Sequence, residues 1–118
     1  MTDERLAHDV DRVLRRAGLP ARTFGDGDPG GFGVRAVEDG VLVTWTPAEE
    51  LLADAAEAML ADPTAPAVWH LGRVTGVMRQ AMIDILRSAG LDAEAVEEEF
   101  GPGDLKVLGR SAPPARPA

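Results

Sequence analysis

Cysteine and tyrosine are absent from this 118-residue chain. Without cysteine there is no disulfide, no thiolate nucleophile and no cysteine-based metal site, a pattern that fits a reducing compartment. Serine occurs only as Ser88 and Ser111, and neither lies in a G-x-S-x-G turn, so a nucleophilic triad finds no support. The two histidines, His8 and His70, fall in different segments with no acid–histidine pair at i,i+4. A metal site needs three or four converging ligands, and this spacing supplies none. The sequence therefore nominates no catalytic residue, no cofactor site and no metal site. No run approaches 18 consecutive apolar residues, so no membrane span is expected. The opening MTDERLAHDVDRV lacks the apolar stretch of a signal peptide, and a cytoplasmic location is the expectation.

Basic charge is also in short supply. Acidic residues outnumber basic ones, with a formal net charge of −8 and a pI near 4.6. Phosphate backbones repel such a surface unless basic residues gather locally, so nucleic acid is disfavoured as a partner. Lysine appears once, at Lys106, against many arginines. That skew points to a GC-rich, bacterial coding sequence.

What the chain does have is ordinary globular material, 45% hydrophobic and 27% charged. Leu6, Val10, Val13, Leu14 and Ala17 recur at helical spacing and predict a first helix over 5–17. Thr2 or Asp3 is its cap, and Gly18-Leu19 its stop. A short extended piece over 21–24 follows. Phe32–Val37 and Val41–Thr46 read as strands joined at Asp39-Gly40, a hairpin signal. Thr46 is the expected N-cap of a second helix, with Glu49 completing a capping box and Leu52, Ala55, Ala56, Met59 and Leu60 as its apolar stripe. A long third helix over 67–89 carries Leu71, Val74, Met78, Met82, Ile85, Leu86 and Ala89. Two strands, Ala93–Phe100 and Leu105–Leu108, close the domain. The expectation is one α+β domain over 1–110, an antiparallel sheet of about four strands in two hairpins with three helices mainly on one face. Residues 111–118, rich in Pro and Ala, are expected to be a disordered tail. The order of elements is similar to that of small secretion-chaperone-like α+β dimers, a likeness of fold that leaves function open.

Three features invite a functional reading. The run GDGDPGG (25–31) contains G-x-G-x-x-G. A hairpin rather than a helix follows it, so it cannot present a helix N-terminus to a pyrophosphate. It also lacks the acids of a calcium loop, and a mobile connection is the favoured reading. Arg5, Arg12, Arg15 and Arg16 form a basic stripe on the first helix, open to an acidic partner or serving only as a solvated face. On the third helix, Trp69, Gly72, Gly76 and Ile83 share one side. Each glycine costs about 1 kcal/mol against alanine within a helix, so the G-x-x-x-G step asks for a close neighbour. That neighbour is the second helix, the sheet, or another copy of the helix. The repeated phrase at 13–21 and 85–93 reads as one C-cap solution used twice.

The leading reading is a non-catalytic protein-interaction module (adaptor, chaperone-like or regulatory partner), homodimeric through the third helix. One alternative is a small-ligand protein or small enzyme with a pocket near Trp45, Met78 and Met82, using a glutamate or His70 as acid–base group. Another is a nucleic-acid-binding regulator using the arginine stripe.

Overall fold

The computed structural model describes residues 2–23, 27, 29–96 and 104–111. In chain order these form α1 (Glu4–Arg16), β1 (Gly31–Val37), β2 (Gly40–Thr46), α2 (Glu49–Ala61), α3 (Pro66–Ser88), β3 (Leu91–Ala95) and β4 (Leu105–Arg110). The four strands make one sheet in the order β1-β2-β4-β3, every pair antiparallel. The α+β class and both hairpin pairings are therefore as the periodicity predicts.

Local chemistry explains the helix ends. The Leu6 N–H donates to the Asp3 carboxylate at 2.9 Å, so Asp3 rather than Thr2 is the N-cap of α1. At its other end Gly18 takes φ +95°, its N–H donates to the Arg15 carbonyl, and the Leu19 N–H donates to the Leu14 carbonyl. This pair of bonds is the Schellman closure. Gly90 ends α3 at φ +84° and donates to the Arg87 carbonyl, so the repeated phrase marks two helices that each stop at a positive-φ glycine. Pro66 occupies the first turn of α3, where its missing N–H costs nothing.

The hairpin between β1 and β2 turns through Glu38 and Asp39, with Val37 paired to Gly40. Among the described residues no non-glycine has positive φ, so the mirror-image turn favoured by Asp-Gly is not used. Gly40 is required for another reason. A Cβ there would lie 2.4 Å from the Val107 carbonyl oxygen on β4.

One sheet face is apolar across all four strands. Val34 pairs with Val43, Val43 with Leu105, and Leu105 with Ala95; Ala36, Val41, Val107 and Ala93 form the next row. Over this face lie α1, with Leu6, Val10 and Leu14 buried, and α3, with Met82, Ile83 and Leu86 buried. The opposite face carries the row Arg35, Leu42, Lys106 and Glu94. Leu42 is buried there between its basic neighbours. Lys106 also holds Asp39 at 2.6 Å across the turn.

Several expectations need correction. The second helix starts at Glu49 with Ala48 as an N-cap that makes no side-chain bond. Thr46 stays in the sheet opposite Gly31, and Glu49 instead accepts from the Gly27 N–H at 3.0 Å. Only Ala55 of the supposed α2 stripe is buried, because α2 packs against α3 and makes no comparable contact with the sheet. The stripe of α3 is rotated toward Thr75 and Ile83, leaving Leu71, Val74, Met78 and Ile85 half-buried and Ala89 exposed. The first C-terminal strand spans 91–95 rather than 93–100, whose last four residues lie outside the described ones. The last two residues of GDGDPGG are tightly packed: a Cβ on Gly30 would meet the Thr46 carbonyl oxygen at 2.4 Å, and one on Gly31 the Pro20 carbonyl oxygen at 2.5 Å. Gly31 sits there because Pro20 and Arg22 bond both backbone groups of Phe32, forming a parallel bridge at Ala21. Gly25, Asp26, Asp28, Phe24 and the tail from Ala112 onward lie outside the described residues.

Candidate functional site

The N-terminal half of α3 carries an unpartnered face. Trp69 is 74% exposed, and Val77 is exposed eight residues further along the helix. Cβ atoms built on Gly72 and Gly76 would meet no atom within 4 Å. Neither the sheet nor α2 therefore explains the glycine pair. Beside it lies a groove of about 420 Å³ lined by Pro63, Val68, Trp69, Gly72 and Arg73. Pro63 comes from the turn between α2 and α3, so the helical hairpin builds the groove by itself.

Ile83 does not belong to this face. It is 3% exposed and sits in the core cluster with Met82 and Leu86. The side of α3 that is bare at Gly72 and Gly76 becomes covered two turns later. Its immediate apolar neighbours Met82, Ile85 and Leu86 were the available signal. Sequence reasoning missed the opposite case on α2, where Leu52, Met59 and Leu60 are exposed, Leu60 to 91%. An apolar stripe at helical spacing says that a helix has an apolar side. It does not say that this chain covers it.

The arginine stripe divides. Arg5, Arg12, Arg15 and Arg16 are all exposed. Arg15 Nε donates to Asp11 Oδ2 at 2.8 Å, and its guanidinium lies 5.8 Å from the centre of the Phe32 ring. That arginine is engaged within the chain. Arg12 and Arg16 instead line a cleft of about 410 Å³ with Asp9, Val13, Leu91 and Arg110. Arg110, at the end of β4, forms an ion pair with Asp9. Its place in the cleft was invisible in the sequence, because the pair spans 101 residues and needs the folded sheet to form.

The remaining chemistry is sparse. His8 and His70 are exposed on separate helices. Among the described residues no three His, Asp or Glu side chains gather in a group that could hold a metal ion. Met82 is fully buried in the core and Trp45 packs against it, so both fill space rather than face a cleft. Among the described residues the buried Trp45 indole N–H finds no acceptor. Among the described residues three carboxyls are displaced from their ordinary range. Hydrogen bonding to Lys106 lowers Asp39, hydrogen bonds from Thr64 lower Asp62, and burial raises Asp104 despite the nearby charges of Arg35 and Arg79. Among the described residues no helix is long and apolar enough to cross a membrane. No protein-family model, curated protein or solved structure matches this chain.

Proposed function

We propose that this chain is a non-catalytic interaction module, cytoplasmic, that pairs with a second copy of itself through the exposed face of α3. The observation that carries this reading is the bare Gly72/Gly76 step beside Trp69. Two glycines inside a helix cost about 2 kcal/mol together against alanine. Among the described residues no atom lies within 4 Å of a Cβ built on either glycine. A second helix backbone resting in the notch supplies the missing neighbour, since small residues let two helix axes approach closely.

The occupant is another copy because the face is self-complementary. It presents a projecting indole and, one turn away, a glycine-floored groove. In a two-fold contact the same patch serves both subunits, so each indole can enter the other's groove. A buried tryptophan at the centre of such a patch is the usual energetic anchor. An adaptor, chaperone-like or regulatory role follows from this, with a protein as the further partner.

Sedimentation velocity across a range of protein concentrations tests the reading. The wild-type chain is expected to dimerise reversibly. Trp69→Ala should weaken association by about 2 kcal/mol or more, and Gly76→Leu should abolish it by filling the notch. A Cβ at Gly76 meets no atom within 4 Å in the isolated fold, so thermal unfolding of the variant should remain cooperative. A wild-type chain that stays monomeric at every concentration overturns the proposal. So does an association that neither substitution changes.

A further inference from the structure

We infer that the cleft between α1 and the ends of β3 and β4 docks an acidic peptide segment of a partner protein. The inference does not rest on the α3 pairing, since the two surfaces share no residue.

The cleft is a local inversion of the protein's charge. Three guanidiniums, those of Arg12, Arg16 and Arg110, line it against one carboxylate, Asp9, on a chain whose net charge is −8. That carboxylate is already committed to Arg110. Arg12 and Arg16 have no hydrogen-bond or ion-pair partner among the described residues. They stand at i and i+4 on α1, which places their stems about 6 Å apart on one helix face. Both planar forks can thus reach one carboxylate or two adjacent ones, and guanidinium is the cation best shaped for that contact.

The rest of the lining decides what carries the carboxylates. Val13 and Leu91 give the cleft an apolar wall beside the charges. A bare inorganic anion makes no use of that wall, whereas a peptide with acidic and aliphatic side chains uses both. Single-stranded nucleic acid calls for aromatic platforms on which bases stack, and among the described residues no aromatic lines the cleft. The last turn of α3 also ends there, at Ala89 and Gly90.

The test is fluorescence anisotropy at low ionic strength with a labelled peptide of alternating glutamate and leucine. A lysine–leucine peptide, a labelled single-stranded oligonucleotide and competing inorganic phosphate serve as further arms. The acidic peptide is expected to bind, and added salt to weaken it. The double variant Arg12→Gln/Arg16→Gln should lose about tenfold or more in affinity, as removal of a charge-assisted contact implies. Trp69→Ala should leave this binding unchanged. Circular dichroism should show α1 intact in the double variant, because both side chains are exposed. Absence of binding, binding that the double variant retains in full, or tighter binding of the oligonucleotide overturns the inference. So does displacement of the peptide by phosphate at equal concentration, which would mark a site for small anions.

Discussion

The two halves of α3 have opposite surroundings. In the C-terminal half, Met82, Ile83 and Leu86 are at most 3% exposed, sealed with α1 and the sheet. In the N-terminal half Thr75 is buried, but Trp69 and Val77 stand in solvent, and Cβ atoms built on Gly72 and Gly76 would meet no atom within 4 Å. Burying one large apolar side chain contributes about 1.5–3 kcal/mol. One half of the helix therefore helps to hold the fold, while the other keeps Trp69 and Val77 exposed. The contrast teaches that continuity of a helix does not imply a common role along it.

The largest expected effect breaks that comparison with matched leucines. Leu86→Ala should cost about 2–5 kcal/mol, the range for a fully buried leucine. Leu60→Ala should change stability by less than about 0.5 kcal/mol, as exposed sites do. Urea unfolding of both variants checks the pair, and similar losses would mean that α2 is covered in solution.

Glycines give the next contrast, and here the sign reverses. Gly40→Ala places a methyl 2.4 Å from the Val107 carbonyl oxygen, at a backbone angle alanine resists. The loss should exceed about 1 kcal/mol, because β2 and β4 must part to relieve it. Gly72→Ala and Gly76→Ala meet open space, and each should stabilise the isolated chain by about 1 kcal/mol. If the same two substitutions also weaken self-association, the glycines are retained for contact at the expense of helix stability. A smaller effect concerns dynamics. Amides of α2 should exchange with deuterium faster than those of α1, since α2 buries only Ala55.

The legible parts of the fold were those set by short-range rules. The cap at Asp3, the stop at Gly18-Leu19 and the strand pair around Gly40 depend on residues within a few positions of one another, and each falls within a residue or two of its expected place. The failures share one cause, which is tertiary context. Thr46 could cap a helix, but pairing with Gly31 keeps it in the sheet. Ile83 and Leu60 both sit beside apolar neighbours, yet one is buried and the other bare. Which side of a helix meets the sheet is decided by topology. The same holds for the candidate sites: Trp69, Gly72 and Gly76 were visible as a helical face, whereas Arg110 reaches Arg12 and Arg16 only through strand order.

The subtlest effect tests the packed region from within. Asp104, at the head of β4, is only 9% exposed, and burial raises its pKa above the usual 3.8 while Arg35 and Arg79 pull it down. The folded chain therefore holds this proton to higher pH than the unfolded chain does. Below 3.8 both states are protonated and the residue costs nothing. As pH rises through the window between 3.8 and the folded value, ionisation is disfavoured only in the fold, and stability declines. Above that window the penalty is complete. Asp104→Asn removes the ionisation, so it should raise the melting temperature at neutral pH and lose that advantage in acid. Thermal melts of both proteins between pH 3 and pH 7 would show the two curves converging toward low pH. Divergence in the other direction, with the variant weaker at neutral pH, would mean that Arg35 and Arg79 outweigh the cost of burial. The carboxylate would then be a tie between β1, α3 and β4 rather than a flaw in the packed half.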